Sequence, residues 1–90
     1  MTRSEVLTRA GQCVNGDREE DYGSPENNFK RIAQFWNAYL GHGDVFSSKD
    51  VAAMLSLLKI ARIASGNAKS DNWVDLAGYA ACGGELEGEE

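Results

Sequence analysis

The sequence predicts an all-α protein: a single domain, built like a four-helix bundle with short connections. Apolar residues recur at spacings of three and four, which is the period of a helix with one buried face, and nowhere alternate for long. Helix-capping residues and glycines divide the chain into four such segments. Residues that favour strands are scarce, with five valines and three isoleucines in 90 residues.

The first helix is expected to begin near Ser4 and to end at Asn15 and Gly16. Thr2 and Glu5 have the spacing of a capping box, in which each side chain bonds the other's backbone N–H. Its buried face is predicted to comprise Val6, Leu7, Ala10, Cys13 and Val14.

The second helix has the strongest start signal, because Ser24 offers a capping hydroxyl and Pro25 suits the first helical position. Gly41 is expected to end the helix, with His42 to Asp44 forming a loop. The predicted buried stripe is Phe29, Ile32, Ala33, Trp36, Tyr39 and Leu40.

The third helix is predicted to start after a second capping box, formed by Ser47 and Asp50, and to stop at Gly66. Leu57 and Ile60 extend its apolar surface beyond one stripe, so this helix is expected to be central. The stripe itself comprises Val51, Met54, Leu55, Leu58, Ala61 and Ile63.

The fourth helix is predicted to open at Ser70 and to continue through Trp73, Val74, Leu76, Ala77 and Ala80 to Cys82. Gly83 and Gly84 are expected to end it. The helical domain is therefore placed at residues 1–84, and the acidic residues 85–90 are expected to form a disordered tail.

The small number of large apolar side chains predicts a homodimer. Only 27 hydrophobic residues are larger than alanine, and a domain of this size is marginal as a monomer. Phe35 lies off the apolar stripe of the second helix, so one bundle cannot bury every aromatic ring. Contact through the second or third helix is expected.

Charge and apolar patterning argue against several classes of protein. The net charge of −5 disfavours nucleic-acid binding, and the apolar run Val51–Leu58 is far shorter than the ~20 residues of a membrane helix. The first five residues lack the apolar core of a signal peptide. We therefore expect a cytoplasmic protein in which Cys13 and Cys82 are free thiols.

Two charged segments are candidate ligand sites. In the segment 18–23, Tyr22 either closes one end of the bundle or contacts a ligand. Lys59 and Arg62 lie one turn apart on the most apolar helix. Their heads either reach water along their stems or bind an anion such as phosphate.

The fourth helix carries polar residues along one side, namely Asp71, Asn72, Asp75 and Tyr79. Asp71 and Asp75 have a spacing that could hold Mg²⁺, which takes one or two protein carboxylates. Alternatively, Asp71 favours the positive helix start and Asp75 pairs with a cation on the neighbouring helix.

The antiparallel return of the fourth helix predicts which groups meet. Counting from the short connection at residues 67–69, Lys59 and Asp75 fall at one depth, and Arg62 and Asp71 at another. A buried ammonium needs a partner, so Lys59 and Asp75 are expected to be neighbours.

Three ordered segments carry a resemblance. They are Asp21–Phe29, Met54–Arg62 with its Lys-Ile-Ala-Arg, and Asp71–Ala80. Over residues 16–84 the chain resembles a family of small phage and prophage proteins of unknown function.

More distantly, it is similar to the MazG-like all-α nucleoside triphosphate pyrophosphohydrolases, which use Mg²⁺ and assemble as dimers or tetramers. Their ExxD motif corresponds to Asn72-Trp73-Val74-Asp75, with Asn72 in place of the glutamate. Their EExxE motif has no counterpart between Val51 and Gly66.

Two functions are therefore expected. The first is binding of a nucleotide or phosphate compound. Lys59 and Arg62 would contact the phosphate, and Asp75 would orient Lys59 or a metal ion. Tyr22 or Trp36 would stack on a base. Hydrolysis, if present, would be Mg²⁺-dependent, but the missing EExxE motif favours binding alone. The second is a non-enzymatic homodimeric interaction protein whose polar motifs are structural. Three or more acids near Lys59 would favour a metal enzyme. Pairing of Lys59 with a single carboxylate would favour the structural role.

Overall fold

The computed structural model describes residues 1–16, 25–66 and 69–88, and over these ranges it contains helices and no strand. The helices are α1 (Arg3–Asn15), α2 (Pro25–Leu40), α3 (Ser48–Ala64) and α4 (Ser70–Leu86). Within these ranges the predicted all-α fold, with four helices in one domain, is confirmed. None of the described helices combines the length and hydropathy needed to cross a membrane.

Both predicted capping boxes are present. The backbone N–H of Glu5 donates to the Thr2 hydroxyl over 3.1 Å, and the N–H of Thr2 donates to the Glu5 carboxylate over 3.3 Å. Ser47 and Asp50 repeat this exchange at the start of α3, over 3.3 and 2.9 Å. Each box satisfies two backbone donors that the first turn of a helix leaves without a partner.

The predicted ends of α2 and α3 are also confirmed. Gly41 follows α2 with φ +75°, and Gly66 lies just beyond α3 with φ +87°. Glycine adopts this left-handed conformation without the steric cost that a Cβ atom brings.

The helices pack in the order α1, α4, α3, α2, and α4 also touches α2. Both α3 and α4 therefore have a helix on either side, and α4 contacts all three of the other described helices. Small residues make this possible: a Cβ atom built on Gly78 would lie 3.2 Å from Val14 Cγ1 of α1, and one on Gly83 would lie 3.3 Å from Ala52 Cβ of α3. Glycine at both positions lets α4 approach a helix on each side.

The core forms where α2, α3 and α4 meet. Val51 of α3 is completely buried. Around it pack Phe29, Ala33, Ala52, Cys82 and Leu86, with Ile32, Trp36, Phe46, Leu55 and Tyr79 partly buried at the edge.

The fourth helix extends past its predicted end. It continues through Gly83 and Gly84 to Leu86, which is only 3% exposed. Burying this leucine in the core favours the helical conformation of both glycines. In addition, Lys49 at the start of α3 pairs with Glu87 over 3.4 Å. The predicted end of the fourth helix at Gly83 and Gly84 was therefore wrong, whereas the division into a helical domain at residues 1–84 and an acidic tail at residues 85–90 stays a prediction.

The buried face of α3 also differs from the prediction. Val51, Ala52 and Lys59 face inward, with Leu55, Ser56 and Ile63 partly buried. The predicted core residues Met54 and Leu58 are instead 40% and 44% exposed. Because α3 is apolar on nearly every side, its periodicity did not fix its rotation, and packing against α2 and α4 did.

The outer aromatic rings of α2 are largely uncovered. Phe35 is exposed as its position off the stripe predicts. Tyr39 was expected in the core, but it is 95% exposed, and Leu40 is also exposed. They lie in the last turns of α2, which extend past the core formed by Phe29 and Ala33.

Candidate functional site

The strongest polar feature is an ion pair between α3 and α4. Lys59 Nζ lies 2.9 Å from Asp75 Oδ2. The Lys59 side chain is 10% exposed and that of Asp75 28% exposed. The predicted contact across this helix interface is therefore present, at the depth expected from the antiparallel return of α4.

The pairing is one-to-one over the part of the chain that the structure describes. Among the described residues, Asp75 supplies the one carboxylate that lies within 4 Å of the Lys59 ammonium. An ammonium this deeply buried loses most of its hydration, so the carboxylate replaces water as its partner. The arrangement aligns α3 with α4 at the level where the two polar groups meet.

The second predicted pair, Arg62 with Asp71, does not form. Asp71 lies 3.9 Å from Arg9 of α1, and both side chains are mostly exposed. Arg62 is exposed in the last turn of α3, where a cation favours the negative helix end. The prediction compared positions on α3 and α4 only. Because α1 packs along α4, Arg9 of α1 pairs with Asp71 instead.

The remaining predicted site residues are dispersed. Trp36 packs edge-on against Phe46, with ring centroids 5.9 Å apart, at the border of the core. Tyr79 packs against Phe29 with centroids 6.3 Å apart. Asn72 is half-buried in the first turn of α4, and Tyr22 lies outside the described residues.

No group of three or more histidine, cysteine, aspartate and glutamate residues comes close enough to hold a metal ion within the described ranges. Asp71 and Asp75 share a face of α4 but have different partners, Arg9 and Lys59. The acidic residues 19–21 lie outside these ranges. The Mg²⁺ site stays a prediction.

Sequence reasoning missed Asn37, which organises the connection between α2 and α3. Its side-chain oxygen accepts hydrogen bonds from the backbone N–H groups of Val45 (2.9 Å) and Phe46 (2.8 Å), and its amide donates to the Phe46 carbonyl (3.0 Å). A single side chain thus sets the entry into α3. The sequence offered one signal for this role: Asn37 follows the buried Ala33 by four residues and therefore lies on the inward side of α2.

A second candidate site is the outward surface of α3. Its large apolar side chains are between 40% and 62% exposed, namely Met54, Leu57, Leu58 and Ile60. Ala53, Ala61 and Ala64 lie exposed among them. A helix that is apolar on all sides is normally buried on all sides, so this surface is suited to contact with another polypeptide.

The chain is similar to known phage proteins. Residues 5–87 match a family described as "Domain of unknown function (DUF6378)". The Gene 55 protein of Mycobacterium phage L5 is 47% identical over 75 residues, which cover 83% of this chain and 47% of that protein. The Gene 55 protein of Mycobacterium phage D29 is 39% identical over 77 residues, covering 86% of this chain and 50% of that protein.

The chain thus spans about half the length of these curated relatives. No solved structure matches it. The matches support the predicted resemblance to a phage family of unknown function, whereas the resemblance to MazG-like enzymes stays a prediction.

Proposed function

Since the chain belongs to the DUF6378 family and is similar to phage proteins, we propose that it is a phage-type, cytoplasmic, homodimeric interaction protein whose polar motifs are structural. The observation that carries this proposal is the outward surface of α3, which is apolar over about three turns of the helix. A second copy would cover surface that a 90-residue chain leaves in contact with water.

The Lys59–Asp75 pair supports the structural part of this proposal. One carboxylate for one ammonium is the arrangement expected of a helix-packing contact, whereas three or more acids close to Lys59 would have favoured a metal enzyme. A buried pair of this kind fixes how two apolar helices are rotated against each other.

The proposal is tested by the molar mass of the full chain in solution. We expect light scattering to give twice the mass of 9.8 kDa at micromolar concentration. A monomeric mass at micromolar concentration would refute the homodimer.

Nucleotide or phosphate binding, with or without Mg²⁺-dependent hydrolysis, is the other function predicted above. Here Lys59 would have to exchange its 2.9 Å contact with Asp75 for a phosphate, and Arg62 would be the exposed cation nearby in sequence. A panel of nucleoside triphosphates with Mg²⁺ or Mn²⁺, followed for monophosphate and pyrophosphate release, tests hydrolysis. If the site binds nucleotide, Asp75→Asn should keep the fold and abolish that binding.

A further inference from the structure

We infer that the homodimer forms by antiparallel packing of α3 against α3 of the second copy, along a seam formed by Met54, Leu57, Ala61 and Ala64. This inference rests on the proposed homodimer and specifies its contact surface and its geometry. All four residues are exposed on the side of α3 that faces away from α2 and α4.

The spacing of the seam is that of a helix pair. Its residues follow one another at intervals of three, four and three, which is the pattern that keeps apolar side chains along one line between two packed helices. Ala53 and Ile60 border the seam on one side and Leu58 on the other. The apolar strip is therefore wide enough to form the knobs and the holes of such packing.

From Met54 to Ala64 the seam carries no charged residue, and Asp50 lies on the same line of the helix one turn before Met54. Between Asp50 and the end of α3 there are two charged residues, and neither belongs to it: Lys59 is turned inward to Asp75, and Arg62 lies beside the seam. Two copies can therefore bring these surfaces together without desolvating an unpaired charge.

Residue sizes favour the antiparallel orientation. With a twofold axis between positions 57 and 58, Met54 of one copy faces Ala61 of the other, so a large side chain meets a small one. Leu57 then packs beside the axis against Leu58 of the second copy. In a parallel pair, Met54 would face Met54 and Ala61 would face Ala61, alternately crowding and separating the helices.

Charge placement favours the same orientation. Asp50 lies in the first turn of α3 and Arg62 in the last turn. Antiparallel packing places Asp50 of each helix toward the Arg62 end of the other, while Lys49 in the same first turn is paired with Glu87. Parallel packing would place like charges together, and opposed helix dipoles add to the preference.

The large apolar side chains of this face, Met54, Leu57, Leu58 and Ile60, are 40–62% exposed in each copy. A second copy would cover them as the apolar part of an interface, which in stable complexes buries about 800 Å² per partner. The polar rim would be supplied by flanking residues such as Asp50 and Arg62.

A pair of matched variants tests the surface. Leu57 on the seam is 62% exposed and Phe35 on α2 is 69% exposed, so each tolerates a polar replacement in the folded chain. We expect Leu57→Glu to raise the dimer dissociation constant by at least about 100-fold, because two carboxylates would meet near the twofold axis. Phe35→Glu should leave it within about threefold of the wild-type value, measured by sedimentation.

Single-cysteine additions test the orientation. In an antiparallel pair the two Leu57→Cys side chains meet near the axis, and oxidation should give a disulfide-linked dimer. The two Ala64→Cys side chains would lie about 20 Å apart, from a rise of 1.5 Å per residue, and should not link. The wild-type chain, with Cys13 and Cys82, is the control for background linkage.

The outcomes separate the two proposals. A monomeric wild-type chain would overturn the homodimer and the seam together. A dimeric wild type that Leu57→Glu leaves intact, or that Phe35→Glu dissociates, would overturn the seam but keep the homodimer. Linkage of both cysteine variants would overturn the antiparallel orientation, as would linkage of Ala64→Cys alone.

Discussion

Removing the carboxylate of Asp75 is the most direct test of the contact between α3 and α4. Asp75→Ala leaves the Lys59 ammonium, which is 10% exposed, without the partner that lies 2.9 Å from it. The ammonium must then stay buried and unpaired, lose its proton, or displace packed side chains to reach water. Each of these lowers the free energy of unfolding.

The size of the effect follows from burial. Removing one partner of a fully buried pair costs about 3–5 kcal/mol. Since the Asp75 side chain keeps 28% exposure, some water already screens the pair. We therefore expect about 3 kcal/mol for Asp75→Ala, against a total of roughly 5–13 kcal/mol for a domain of this length.

Two controls distinguish this mechanism from a general loss of contacts. Asp71→Ala removes an exposed carboxylate one turn earlier on α4, and a surface pair like that with Arg9 contributes less than about 1 kcal/mol. The double variant Lys59→Met/Asp75→Leu replaces the pair by apolar side chains of similar volume. It should be within about 1 kcal/mol of wild type, or more stable, because no buried charge remains.

The measurement is urea unfolding followed by circular dichroism, with all variants at one protein concentration because a dimer's stability depends on it. Asp75→Ala should lower the midpoint by roughly 2 M, from a slope of about 1–2 kcal/mol per M. A loss below 1 kcal/mol, or a double variant as unstable as Asp75→Ala, would refute the reasoning.

Three further predictions concern local features. Gly84→Ala should stabilise α4 by about 0.5–1 kcal/mol in thermal unfolding, because a Cβ atom at Gly84 meets nothing within 4 Å. Gly83→Val should destabilise α4, because a Cβ atom at Gly83 already lies 3.3 Å from Ala52 Cβ of α3. Hydrogen bonds from the backbone and the hydroxyl of Thr2 lower the pKa of Glu5 below its ordinary value. The contribution of Glu5 to stability is therefore present above the pKa of the unfolded state and is lost as the pH falls through the pKa of the folded state. The carboxyl chemical shift of Glu5 during an NMR titration checks this direction. Alkylation of the unfolded chain without reductant should modify both Cys13 and Cys82, as expected of free thiols, and an unmodified pair in the mass spectrum would contradict this.

The ends of the helices could be predicted from the sequence because their causes are local. A capping box needs residues three positions apart, as Thr2 and Glu5 are, and a left-handed stop needs a glycine such as Gly41. The exception is instructive. Gly83 and Gly84 look like a stop, but the burial of Leu86, three residues after Gly83, keeps the helix going.

The contact between Lys59 and Asp75 was also within reach of the sequence, because the short connection between α3 and α4 fixes the depth at which residues face each other. The partner of Asp71 was not, since Arg9 lies 62 positions earlier in the chain and no local pattern shows which helices lie side by side.

What only the tertiary structure decided is the rotation of the third helix. The sequence determined that residues 48–64 form a helix and that it is apolar on nearly every side. Such a helix has no polar face to mark its solvent side, so its periodicity allowed several rotations of similar apolar burial. Packing between α2 and α4 selected the one that buries Val51 and turns Leu57 outward, where it forms the surface proposed for the second copy.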